Sequence, residues 1–100
     1  MKRTITEIPD AFQADVRRAT EILKEAGCTE IFVFGSLAKG RAGKSSDLDL
    51  AVRGCPKAGF FHLWGKLFMS LEHSVDLVDL DSEDPFARYL EMHAEVIQID

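Results

Sequence analysis

Ile31-Phe32-Val33-Phe34-Gly35-Ser36, followed after ten residues by Asp47-Leu48-Asp49-Leu50, is the stretch whose reading decides the fold. The run Ile31 to Phe34 is short, β-branched and aromatic and follows the turn signal Gly27, so it reads as a buried strand and not as a helix. Gly35 accepts the backbone angles of a sharp exit, and Ser36 stands where a short helical turn, Leu37 to Lys39, can begin. Unpaired N–H groups at such a turn suit an anion. Standing alone, Gly-Ser is also compatible with an ordinary strand-to-helix turn.

The carboxylates sharpen that reading. Residues two apart on a strand share a face, so Asp47 and Asp49 project together while Leu48 and Leu50 point into the opposite layer. Two like charges with no basic residue between them repel, and a divalent cation relieves the repulsion. Magnesium suits the pair because it takes one or two carboxylates, keeps waters and completes its shell with phosphate oxygens. The plain alternative is a charged strand edge that discourages aggregation. Gly35 closes one strand and Asp47 opens the next, so turn and carboxylates meet only if these strands run antiparallel, which is the expectation.

A third carboxylate is sought in Val75-Asp76-Leu77-Val78-Asp79-Leu80, a further strand candidate reached through a long connection that contains a helix. Such a crossover fits a parallel neighbour and would set Asp76 beside Asp47 and Asp49. Asp79, at odd spacing from Asp76, should face the other way, although a bulge would reverse the order. Asp76 is the preferred candidate.

The segment IFVFGSLAKGRAGKSSDLDLAV, residues 31–52, resembles the nucleotide-binding signature of the minimal nucleotidyltransferases, small members of the DNA polymerase β superfamily. Their pattern is Gly-Ser, ten residues, Asp-x-Asp and a later strand Asp. The resemblance extends over nearly the whole chain. It implies an α/β, α+β-like two-layer fold with a mixed sheet of about four strands and helices packed on it. It implies nucleotide binding by Gly35, Ser36 and Lys39, and catalysis and Mg2+ binding by Asp47, Asp49 and Asp76, with two ions during the reaction. Many relatives carry a basic residue where this chain has Leu37, and many close on a Glu-Gly turn and a strand ending in Tyr, which this chain lacks. The resemblance further implies transfer of a nucleoside monophosphate, AMP from ATP in the first instance, to a hydroxyl. Relatives of this size occur as antitoxins beside an all-helical HEPN-type toxin, so the acceptor would be a tyrosine of such a partner. A different reading keeps the fold as a partner-binding antitoxin module without catalysis.

Composition agrees with this frame. One hundred residues with 46% hydrophobic content make a single domain, 1–100, with a modest core. A net charge of −5 and a pI near 5.1 argue against a general nucleic-acid binder. Lys39, Arg41 and Lys44 in the connecting loop could neutralise phosphate charge or form a solvated basic loop. Cys28 and Cys55 make no close metal pair and no dense disulfide framework, which points to a reducing compartment. With no leader pattern and no run of eighteen apolar residues, the expectation is a soluble cytoplasmic protein that avoids membranes.

The remaining segments read as scaffold. Phe12, Val16, Ala19 and Leu23 recur at helical spacing from about Asp10 to Ala26, with Gly27 placed to end the helix. From about Lys57 to Glu72, the residues Phe60, Phe61, Leu63, Trp64, Leu67, Phe68 and Leu71 make a wide apolar face. Most are expected in the core, with Trp64 or a Phe left open for a partner or a second copy of the chain. Asp84-Pro85 starts a helix carrying Phe86, Tyr89, Leu90 and His93 on one stripe, and Val96 to Ile99 form a terminal strand. His62, His73 and His93 show no zinc spacing and read as surface or helix-face residues.

Overall fold

The apolar spacing of the first helix dictates a single buried stripe, and in the computed structural model Phe12, Val16, Ala19, Ile22 and Leu23 all lie within 2% of complete burial. The structure describes residues 9–38, 47–56, 58–93 and 96–99, with the side chains of Ser36, Leu37 and His93 outside that description. Helix α1 spans Asp10–Glu25. It ends where Gly27, at φ +105°, donates its N–H to Lys24 O and Cys28 donates to Leu23 O, a Schellman closure that needs a left-handed residue at that point.

The elements that follow are β1 (Glu30–Val33), the single turn α2 (Gly35–Ala38), β2 (Leu48–Arg53), α3 (Phe60–Ser70), β3 (Val75–Asp79), α4 (Pro85–His93) and β4 (Ile97–Gln98). They form one mixed sheet in the order β3-β2-β1-β4. β1 pairs antiparallel with β2 and β4, and β2 pairs parallel with β3, as strand order and crossover length require. The expected two-layer α/β arrangement with a four-stranded mixed sheet is therefore the one observed.

Strand parity divides the apolar side chains between the two faces. On one face Ile31, Val33, Leu48, Leu50, Val52, Val75 and Leu77 pack with α1 and α3. On the other, Phe34, Ala51 and Leu80 pack with Ala87 and Leu90 of α4. Each fully buried Leu or Ile contributes about 1.5–3 kcal/mol, so the first face supplies most of the stability. Asp84 caps α4 by accepting the Phe86 N–H at 2.9 Å, with Pro85 at the first helical position as its fixed φ favours.

On α3, as expected, most of the apolar residues join the core: Leu63 and Leu67 are buried, Leu71 caps the helix from within the core, and Phe60 and Trp64 pack against it, while Phe61 and Phe68 project into solvent with Met69. A helix laid on a sheet buries one stripe, and this apolar face is wider than a stripe. Two expectations need correction, those for His73 and for the cysteines. His73, read as a surface or helix-face residue, is instead partly buried against Phe12 and bonded to Asp15. Cys28 and Cys55, 27 residues apart, form a disulfide. The register explains it: β1 pairs Glu30 with Arg53, and two further steps outward along both strands bring position 28 opposite position 55. The argument from cysteine usage to a reducing compartment falls with that bond.

Candidate active site

The site is built where β1 stops and β2 starts. Val33 pairs with Leu50, and the next step sets Phe34 opposite Asp49, its N–H donating to Asp49 O at 3.0 Å. The chain then turns through Gly35 at φ +68°. A side chain there would collide with the Asp49 carboxylate, whose Cγ lies 3.2 Å from the position a Cβ would take. Glycine is thus required twice at this point, for the left-handed backbone and for the approach of the acid.

On the opposite side of β2, Asp49 pairs in register with Asp76 of β3, so the two carboxylates stand on the same face of neighbouring strands. Asp47 lies just before β2, exposed, with Leu48 between it and Asp49 completely buried. Burial, followed by the charges of Asp76 and Asp47, pushes the Asp49 carboxyl up to about 6. Ion pairs among the described residues involve none of these three acids.

That crowding of negative charge is the chemistry a divalent cation satisfies. Among the described residues no three His, Cys, Asp or Glu side chains close into a metal cage. Magnesium does not need one, since one or two carboxylates with water and phosphate oxygens fill its octahedron. The donor set fits an ion that arrives with its substrate.

Of the residues singled out from sequence, the structure brings Gly35, Asp49 and Asp76 together and sets Asp47 at the head of the same strand. Asp79 pairs in register with Val52, away from the carboxylate pair, and accepts the Asp81 N–H at 2.9 Å. Ser36 belongs to α2 by its backbone. Lys39, Arg41 and Lys44 lie outside the described residues.

Two supports of the site escape a motif reading. Asp15, only 6% exposed on α1, accepts the N–H groups of Glu72 and His73 at 3.1 and 2.8 Å and pairs with His73 Nδ1 at 2.6 Å. Burial works to raise its carboxyl pKa, but the His73 side-chain bond, the two backbone N–H bonds and the charge of His73 together hold it below the usual value. The Trp64 indole N–H donates to Val75 O at 2.9 Å. Both bonds fix the entry to β3, one or a few residues ahead of Asp76. The available signal was an acid on the apolar stripe of α1, at three residues from Phe12 and four from Ala19.

The family model described as "Polymerase beta, Nucleotidyltransferase" matches residues 18–98. A toxin–antitoxin structure with AMP-PNP is similar at 26% identity and a TM-score of 0.66, over 82% of this chain and 69% of that one. A structure described as a candidate minimal nucleotidyltransferase is similar at 25% identity and a TM-score of 0.66, over 95% of both chains. A complex of a tri-AMPylated Shewanella oneidensis HEPN toxin with an MNT antitoxin aligns at 24% identity and a TM-score of 0.62, over 86% of this chain and 69% of that one, a likeness of fold. No curated protein is similar enough in sequence to count as a relative.

Proposed function

The chain belongs to the polymerase beta nucleotidyltransferase family, and on that premise we propose that it transfers a nucleoside monophosphate, AMP from ATP, to a hydroxyl on a HEPN-type toxin and so acts as an antitoxin. The observation that carries the proposal is the register pairing of Asp49 with Asp76 beside Gly35. Among the described residues these acids have no ion-pair partner, and their place at the mouth of a glycine turn suits a metal-bound triphosphate.

In this reading the backbone at Gly35 and Ser36, with Lys39, holds the terminal phosphates. Asp47 and Asp49 hold Mg2+, and Asp76 completes the site as ligand or as acceptor of the hydroxyl proton. Bound magnesium, two ions in the reacting complex, would neutralise the triphosphate and lower the pKa of the acceptor hydroxyl. The hydroxyl oxygen bonds to the α-phosphorus, the bond from that phosphorus to the pyrophosphate oxygen breaks, and pyrophosphate leaves. The likeness to a toxin–antitoxin structure holding AMP-PNP supports both the nucleotide and the partner.

The exposed Phe61, Phe68 and Met69 on α3 favour a second reading, a partner-binding module in which catalysis is absent. Incubation with labelled ATP and Mg2+, with and without a HEPN-type partner encoded beside this chain, separates the two. Label on the partner that disappears in Asp47→Ala and Asp49→Ala is the expected result. Tight partner binding that survives both substitutions, with no label transferred, establishes the module instead.

A further inference from the structure

A row of side chains crosses the α4 face of the sheet from the acids to a pair of exposed aromatic rings. Register sets Asp76 beside Asp49 on β3 and β2, and one strand further Phe34 lies opposite Asp49. Directly opposed residues of an antiparallel pair share a face, with Cβ atoms roughly 5 Å apart. Phe34 is 6% exposed and forms a wall, and its ring meets Phe86 edge to face with centroids 5.8 Å apart. Phe86 lies nearly parallel to Tyr89, at an interplanar angle of 10° and a centroid distance of 6.3 Å. The two outer rings are 47% and 52% exposed.

These rings are held in place. Ala87 and Leu90 of α4 are buried against Phe34, Ala51 and Leu80, and the Phe86 N–H is bonded to the Asp84 cap, so the helix start cannot slide along the sheet. An aromatic surface fixed in orientation and half open to solvent, one cross-strand step and one ring contact from Asp49, has the shape a nucleotide asks for. The phosphates need cations, whereas the base needs a flat apolar face.

We propose that Phe86, backed by Phe34 and flanked by Tyr89, is the stacking platform for the nucleobase. The proposal rests on the nucleotidyltransferase reading above and adds to it the position of the base and the basis of nucleotide preference. No hydrogen-bonding group is invoked to read the base edge, so the preference follows stacking area, purine over pyrimidine. The alternative occupant of this face is a protein partner, and the two make opposite demands on Phe86.

The test is calorimetric titration of the full chain, in Mg2+, with ATP, CTP and inorganic tripolyphosphate. Phe86→Leu keeps apolar volume on α4 and removes the ring, while Phe86→Tyr keeps the ring. The expected result is ATP affinity weakened about tenfold in Phe86→Leu, in the lower half of the range for loss of one base–aromatic stack, with tripolyphosphate affinity unchanged and ATP affinity retained in Phe86→Tyr. The wild-type chain should prefer ATP to CTP. If the wild type binds ATP but Phe86→Leu binds it equally well, or loses tripolyphosphate to the same degree, the platform is overturned and the nucleotide reading stands. Loss of association with a helical partner in Phe86→Leu, with ATP binding intact, gives the face to the partner and also overturns it. A wild-type chain that binds neither ATP nor tripolyphosphate removes the nucleotide reading and the platform with it.

Discussion

At the scale of single residues, Asp49 and Gly35 trade stability for function in opposite ways. A carboxyl raised to about 6 from 3.8 favours the fold while protonated. Its contribution is complete below its unfolded value and is lost as pH rises through about 6. Metal-free protein therefore gives up roughly 1–3 kcal/mol between pH 4 and pH 7, the upper figure being the full shift and the lower allowing for screening at a partly exposed group. Asp49→Asn should be more stable than the wild type at pH 7 by that order and indistinguishable from it near pH 4, as denaturant melts without Mg2+ would show. Gly35→Ala should cost about 1–3 kcal/mol, from a left-handed backbone and a collision with Asp49. If the collision matters, adding Asp49→Ala recovers part of that loss, and strict additivity of the two changes would leave the backbone angle as the whole cause. Both residues were visible in the sequence, because Gly-Ser and Asp-x-Asp are local patterns whose side-chain directions follow from strand parity. The contact between them was not local, and only strand direction implied it.

Elements were legible to the extent that one chain segment sets its own period. The spacing of Phe12, Val16, Ala19 and Leu23 defined α1, and the connection between β2 and β3 required their parallel pairing. What stayed hidden was the polar joint between elements: Asp15 and His73 are 58 residues apart, and neither belongs to a motif. That joint is a strong one, since Asp15 is buried and satisfies two backbone N–H groups in the loop before β3. Asp15→Ala should cost about 2–4 kcal/mol by leaving those groups and His73 without their acceptor. The carboxyl is held below its ordinary value of 3.8, burial being outweighed by its bonds to His73 and Glu72. Its stabilisation is thus present above 3.8 and lost as pH falls through its lower folded value. Acid unfolding of the wild type should begin below pH 4 and disappear as a separate step in Asp15→Asn. Hydrogen exchange at the Glu72 and His73 amides, slow in the wild type and fast in the variant at pH 7, would tie the loss to this joint. Equal exchange in both proteins would contradict it.

For the whole molecule, the Cys28–Cys55 bond encloses every residue of the glycine turn and the first two acids within one covalent loop. Sequence separation gave no hint of it, because the pairing is a consequence of the β1–β2 register extended beyond the last ladder bond. The same register predicts what reduction does. A closed loop of this length limits the unfolded chain and is worth about 3–4 kcal/mol, so Cys55→Ser, or the wild type in strong thiol, should melt on the order of 15 °C lower. The folded site should change little, however. Glu30 to Val33 remain paired with Leu50 to Arg53 by the sheet itself, and Thr29 N–H still bonds to Arg53 O at 2.9 Å, so Phe34, Gly35 and Asp49 keep their places without the sulfur bridge. Nucleotide affinity measured well below the melting temperature should accordingly agree within about threefold between oxidised and reduced protein, a difference of under 1 kcal/mol. Parallel loss of affinity and stability would mean that the bridge, and not the β1–β2 ladder, sets the geometry of the acids.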